Sequence, residues 1–187
     1  MQRVRAFHSD QFVLPLPPGH PFPMSKYRLL REAAEATLPG VRVTEAPPAS
    51  DGELALAHEP DWIHAVTTGS TSAAQQREIG FPWSERMVER ARRSVGATVC
   101  AARTALLGGE GVAANLAGGT HHAYSHKGSG YCVFNDVAVA AEAFRTDAAA
   151  HPDAWFAAGW LEAHLAVTAR SAHKALVKVA EGGKFWN

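Results

Sequence analysis

The stretch GVAANLAGGTHHAYSHKGSGYCVFND, residues 111–136, joins an uncharged apolar run to a glycine-bracketed pair of histidines. Residues 111–116 carry no charge, which is typical of a strand that is buried on both faces. Gly118 and Gly119 follow, and glycine lets the backbone take positive φ or approach a ligand closely. His121 and His122 come next, so we expect a functional loop directly after a buried strand.

The segments around this stretch predict an α/β domain with a parallel sheet. Further strands are predicted at residues 2–8 and 41–46, and helices at 25–37, after Pro60, at 85–107 and at 137–144. Ser25 and Ser84 are predicted helix caps, and Asn135 or Asp136 is predicted to cap the last helix. This alternation favours helices packed on a parallel sheet, where ligands bind beyond the carboxyl ends of the strands. The histidine pair lies at that end.

The bulk composition excludes several classes of partner. Lys plus Arg and Asp plus Glu number 18 each, so we expect no direct nucleic-acid partner. The helical spacing of the arginines predicts a solvated face, made of Arg86, Arg90, Arg92, Arg93 and Arg103. Two cysteines are too few for a disulfide framework. Because no apolar run is long enough to span a membrane and the first residues lack a signal peptide, we expect no membrane partner and a cytoplasmic location.

Two adjacent imidazoles can act as a proton acceptor and a proton donor near neutral pH. His121 and His122 are therefore candidate catalytic residues, although a surface dipeptide without a role remains the alternative. A second glycine-bracketed turn, Gly130-Tyr131-Cys132, follows and could wall a narrow slot beside them.

The combination GGTHHA (118–123) and GYCVFND (130–136) resembles the zinc-dependent histone deacetylase and acetylpolyamine amidohydrolase superfamily, in a bacterial, class IV-like form. HPFPMSKY (20–27), LAHEPDW (56–62) and residues 90–96 add weaker matches. The resemblance covers about residues 2–145. It implies a three-layer, arginase-like fold with a parallel sheet, truncated after the first strands. The N-terminal part of the domain would span residues 1–147, and residues 148–187 would form a divergent helical tail.

The resemblance also implies roles for individual residues. His121 and His122 match the tandem histidines that serve as general base and as general acid or electrostatic partner, while a zinc-activated water attacks the amide. Gly130 and Tyr131 match residues that line the acyl-lysine tunnel, and Cys132 matches a residue behind them. The implied substrates are an acetylated lysine side chain or an acetylpolyamine.

The sequence after Phe144 departs from the family pattern, because it lacks the D-x-D-x-H motif that supplies metal ligands. We therefore assign no metal ligand and expect that this chain alone does not hold the family's Zn2+. For His20 and His58 we expect satisfied structural roles. We expect an interrupted gene or reading frame near residues 145–150, with a genuine short variant as the alternative.

Three functional hypotheses follow. The chain is part of a zinc-dependent deacetylase, an inactive truncated remnant of one, or a small interaction protein whose tail covers the sheet edge. The tail carries an apolar stripe at helical spacing from Leu161 to Val179. An uncovered strand edge would promote self-association, so we also expect that the chain can form a homo-oligomer through the exposed sheet edge.

Overall fold

The computed structural model describes residues 4–108 and 111–150, and the predicted tail stripe at 161–179 lies outside them. The three strands are β1 Val4–His8, β2 Val41–Glu45 and β3 Ala113–Asn115. The helices are α1 Lys26–Thr37, α2 Asp51–Leu54, α3 Pro60–Thr68, α4 Ala73–Ile79, α5 Glu85–Leu106 and α6 Asp136–Ala150. No helix in these two ranges is long and apolar enough to cross a membrane.

The strands form a parallel sheet in the order β2-β1-β3. Val4 is paired with Val41 on one side of β1, and Phe7 is paired with Asn115 on the other. Since both pairings are parallel, the carboxyl ends of the three strands share one edge of the sheet. The predicted α/β fold with a parallel sheet is confirmed.

The prediction that residues 111–116 are buried on both faces is wrong. Only Ala113, Ala114 and Asn115 form strand, and each of them is partly exposed. The side chain of Val112 is 58% exposed. Within the described ranges β3 pairs with β1 alone, so its second edge has no covering strand there. Residues 111–116 do contain a strand, but the described residues provide no second neighbouring strand that would bury it.

The long helix α5 packs against β1, β3 and α6. Ser84 Oγ accepts a hydrogen bond from the Met87 amide, which confirms the predicted cap. Phe7, Ala97 and Ala101 fill the contact between α5 and the sheet. The main core lies among the helices and includes Leu54, Trp62, Ile63, Val66, Ile79, Val95, Val99, Phe134 and Val139. Helix α5 therefore connects the sheet to the segment that follows β3.

Three further sequence predictions differ from the structure. Ser25 makes no capping hydrogen bond, because its backbone already has right-handed helical angles. Helices α2 and α4 were missed, although each begins with a capping box, Ser50 with Glu53 and Ser72 with Gln75. The predicted solvated arginine face is wrong at Arg90, which is only 7% exposed. Its guanidinium lies against the aromatic rings of Tyr27 in α1 and Phe22 shortly before α1 instead.

Candidate active site

The chain leaves β3 through a turn that Asn115 fixes to α5. Its side-chain amide donates hydrogen bonds to the Ser94 carbonyl oxygen (2.9 Å) and to Thr98 Oγ1 (2.7 Å). Its side-chain oxygen accepts a hydrogen bond from the Ala117 amide at 2.8 Å. These contacts set the direction in which the glycine pair leaves the sheet.

Asp136 organises the backbone immediately before the histidines. Its carboxylate is fully buried and accepts four hydrogen bonds. Oδ1 accepts from the Thr120 amide (2.7 Å) and hydroxyl (2.8 Å), and Oδ2 accepts from the Gly119 amide (2.9 Å) and Thr98 Oγ1 (2.6 Å). Hydrogen bonds to an ionised carboxylate are roughly twice as strong as neutral ones. Asp136 thus holds residues 118–125, the histidine loop, against α5 and the start of α6.

Gly118 is required at this point because a side chain has no room. A Cβ there would lie 2.6 Å from Asp136 Oδ2 and 2.7 Å from the Asn115 side-chain nitrogen. Gly119 differs, since its φ is +86° but a Cβ there would meet nothing within 4 Å. One glycine of the pair serves close packing, and the other serves a left-handed backbone.

Asn135 and His58 support the far side of the same loop. The Asn135 side-chain amide donates to the carbonyl oxygens of His121 (3.4 Å) and Ala123 (3.1 Å), and its oxygen caps α6 by accepting from the Ala138 amide at 3.0 Å. The Asn135 amide donates to His58 Nε2 at 2.9 Å, so Nδ1 carries the proton and donates to the Ser125 carbonyl oxygen at 3.4 Å.

His58 is 4% exposed, and burial lowers its pKa from 6.5 to about 4. It is therefore neutral near pH 7, and the predicted structural role is confirmed.

The two histidine rings lie side by side beyond the carboxyl end of β3. Their centroids are 4.3 Å apart and their planes are tilted by 36°. His121 is exposed, whereas His122 is half-buried. A Cβ at Gly130 would lie 3.5 Å from His122 Cγ, so the glycine lets the second turn approach this ring. The structure brings together His121, His122 and Gly130, three residues that the sequence singled out.

Tyr131 lies in an aromatic cluster rather than at an open surface. Its ring packs against Phe22 (5.0 Å between centroids), Phe81 (5.1 Å) and His20 (6.0 Å). Its backbone has a φ of 66°, and its amide donates to the Ile79 carbonyl oxygen at 2.7 Å. These contacts hold the ring and its backbone in place next to Gly130.

His20 supports this cluster through both ring nitrogens. Nε2 donates to the Gly80 carbonyl oxygen at 2.9 Å, and Nδ1 accepts from the Phe22 amide at 3.2 Å. Both nitrogens are satisfied, so the predicted structural role of His20 is also confirmed.

Cys132 lies behind Gly130 and Tyr131. Ser129 and Cys132 exchange backbone hydrogen bonds of 2.9 Å, which close the turn that presents the two intervening residues. The Cys132 side chain is 5% exposed and Sγ donates to the Gly130 carbonyl oxygen at 3.5 Å. The thiol therefore supports the turn from inside.

The described residues do not provide the ligands for the zinc ion that the resemblance implies. Residues 4–108 and 111–150 contain no group of three His, Cys, Asp or Glu side chains placed to hold one metal ion. A catalytic zinc needs three protein ligands and a water or substrate. Asp136, the acid that anchors the histidine loop, already accepts four hydrogen bonds from protein donors.

Sequence reasoning missed the anchoring role of Asp136, which it treated only as a candidate helix cap. The sequence signal that could have indicated it is an acid that comes shortly after the Gly130-Tyr131-Cys132 turn and begins an apolar helix. Its partner Thr98 lies mid-helix on α5, and no local pattern distinguishes such a residue. These contacts are non-local, so they require the fold.

Residues 20–151 match the family model of the histone deacetylase domain. An uncharacterized protein of Picosynechococcus sp. is 40% identical over 136 residues, which are 72% of this chain and 44% of that protein. The acetoin utilization protein AcuC of Bacillus subtilis is 39% identical over 100 residues, 49% of this chain and 26% of that protein.

Two solved structures share the fold. An HDAC homologue from Aquifex aeolicus has a TM-score of 0.60 at 22% identity, covering 78% of this chain and 42% of that one. The HD domain of HDA15 has a TM-score of 0.65 at 19% identity, covering 78% and 44%. The chain thus spans less than half the length of each of these relatives.

Proposed function

The chain belongs to the histone deacetylase family, and on that premise we propose that residues 118–136 form the proton-transferring part of a centre that hydrolyses acetylated amines. The observation that carries this proposal is the adjacency of the two imidazoles, 4.3 Å apart between centroids, in a loop fixed by Asp136 and Asn135. A loop held by buried hydrogen bonds keeps its side chains in a defined geometry without substrate.

Amide hydrolysis needs a base to deprotonate the attacking water and an acid to protonate the departing amine. Imidazole performs both tasks near neutral pH. In this proposal the half-buried His122 accepts the proton from water, and the exposed His121 delivers a proton to the amine nitrogen or stabilises the charge that develops. The assignment of the two roles rests on exposure, because the departing amine must leave towards solvent.

The substrates that we propose are an acetylated lysine side chain or an acetylpolyamine. Both present an apolar methylene stem next to the acetamide. An aromatic wall suits such a stem, and the partly exposed Tyr131 and Phe22 would supply one beside Gly130, with the buried Phe81 packed behind them. Gly130 leaves room for the stem next to the His122 ring.

Zinc would act as a Lewis acid that makes the attacking water a better nucleophile, but the described residues do not provide its ligand set. We therefore assign no step to the metal. The same observation favours a second candidate function, an inactive remnant that retains the histidine loop and binds acetylated amines without turning them over.

One experiment separates the two candidates. The full chain is incubated with zinc and an acetyl-lysine peptide, and released acetate is measured beside His122→Ala and an exposed control, His64→Ala. The proposal predicts acetate release by the wild type and the control and its loss in His122→Ala. Absent release contradicts hydrolysis, and equal release in all three contradicts proton transfer by His122. Absent turnover with binding of the peptide supports the remnant.

A further inference from the structure

Arg90 is a buried cation that lines a small, partly enclosed space next to the histidine loop. It projects from α5 and is 7% exposed. The space has a volume of about 10 Å³, and Arg90 lines it together with Ser94, Thr120, Tyr131 and Phe134. This volume corresponds to about one water molecule.

The guanidinium of Arg90 has no hydrogen-bond or ion-pair partner among residues 4–108 and 111–150. Its contacts are with aromatic rings: it lies 4.8 Å from the centroid of Tyr27 and 5.7 Å from that of Phe22. Glu89, its neighbour on α5, is held by Arg93 at 2.6 Å. The cation therefore lacks a counter-charge in the described part of the chain.

A second cation increases the local positive charge. Lys26 Nζ lies 4.7 Å from the centroid of the Phe22 ring and 4.8 Å from that of Tyr27, the same two rings that Arg90 contacts. Lys26 likewise makes no ion pair with a carboxylate in the described ranges. Lys26 is exposed, so solvent screens part of its charge. For the buried Arg90 guanidinium, the contact with aromatic rings recovers only part of the cost of burying an unpaired charge.

The hydroxyl groups of Thr120 and Ser94, which also line the space, have committed their protons. Thr120 Oγ1 donates to Asp136 Oδ1, and Ser94 Oγ donates to the Ala117 carbonyl oxygen. The guanidinium N–H groups of Arg90 thus remain available to a ligand, and apart from the Tyr131 hydroxyl the remaining lining is largely apolar. Such a site selects a compact species that only accepts hydrogen bonds.

We infer that the space beside Arg90 binds one small monovalent anion of halide size, such as chloride, through the guanidinium N–H groups. A carboxylate with its attached carbon, or a sulfate, exceeds the available volume. The inference does not depend on hydrolysis by the histidine pair, because it concerns binding alone. A failure of one proposal therefore leaves the other standing.

The experiment compares the thermal midpoint of the full chain in sodium chloride, sodium formate and sodium sulfate at equal ionic strength. The variants are Arg90→Met and, as a matched control on the exposed side of the same helix, Arg86→Met. Relative to sulfate, chloride should raise the midpoint of the wild type and of Arg86→Met by about 2–4 °C more than that of Arg90→Met, a shift expected for a chain of this size on saturating a weak site. The general stabilisation by sulfate acts on all three proteins and cancels in this comparison.

An equal chloride response in wild type and Arg90→Met overturns the inference. An Arg90-dependent rise with formate but not with chloride also overturns it, because the space would then be a carboxylate site. If Arg90→Met does not fold, broadening of the chlorine-35 resonance by the wild-type chain decides: broadening that excess bromide reverses supports the site, and its absence overturns it.

Discussion

Replacing Asp136 tests how strongly one buried carboxylate fixes the histidine loop. Asp136→Ala removes the acceptor for four hydrogen bonds, donated by the Gly119 amide, the Thr120 amide and hydroxyl, and the Thr98 hydroxyl. Leaving a buried donor unsatisfied costs about 1–3 kcal/mol. At the lower value, four donors give a loss of about 4 kcal/mol in the free energy of unfolding.

Asp136→Asn should cost less, because the amide oxygen can still accept from Thr120. Its NH2 group would face the Gly119 amide and the Thr98 hydroxyl, so two of the four donors lose their acceptor and the loss is about 2 kcal/mol. Urea denaturation followed by tryptophan fluorescence measures both values. Amide hydrogen exchange at Gly119 and Thr120 should become faster in both variants.

The control is Asp61→Asn, an exposed acid in the first turn of α3, which should change stability by no more than about 0.5–1 kcal/mol. If Asp136→Ala destabilises the chain no more than this control does, the carboxylate does not hold the loop. Unchanged exchange at Gly119 and Thr120 would refute the same reasoning locally.

Other positions give sharper local tests. Gly118→Ala should destabilise the chain more than Gly119→Ala in urea denaturation, because a Cβ at Gly118 would lie 2.6 Å from Asp136 Oδ2. A Cβ at Gly119 would meet open space, so the cost there comes only from its positive φ. Equal losses would count against this packing. Burial lowers the pKa of His58 from 6.5 to about 4, so on acidification the unfolded chain takes up this proton before the folded chain does. The free energy of unfolding should therefore fall by roughly 3 kcal/mol between pH 6.5 and pH 4. His58→Gln should flatten that slope. An unchanged slope would contradict the assignment. Val112 lies beside the edge of β3 that no strand within residues 4–108 and 111–150 covers. Val112→Lys should lower any self-association seen by light scattering, and an unaltered mass would argue against that edge as the contact.

Local patterns predicted much of the fold. The Ser84 cap, the apolar spacing of α5 and the alternation of strands and helices depend on neighbours in the chain, and the structure confirms them. The two missed helices, α2 and α4, are short, and their capping boxes at Ser50 and Ser72 carried the available signal. Burial of residues 111–116 was predicted wrongly, since it depends on which elements lie beside β3.

The site was only partly visible in the sequence for the same reason. The histidine pair and the second glycine turn stand out as a motif, and the structure brings His122 next to Gly130. The supports of the loop come from far along the chain: Thr98 is 38 positions from Asp136, and His58 is 77 positions from Asn135. Arg90 belongs to an arginine-rich stretch whose spacing indicated a solvated face, and only the packing of α5 against Phe22 and Tyr27 shows that it is buried.

The measurement that tests the central claim most directly is acetate release from an acetyl-lysine peptide by the zinc-supplemented full chain, compared between the wild type and His122→Ala. If the paired imidazoles transfer protons in hydrolysis, the wild type releases acetate and the variant loses at least about 100-fold in rate, the lower end for removal of a general base. Equal rates in the two proteins, or no release by the wild type, would contradict the claim.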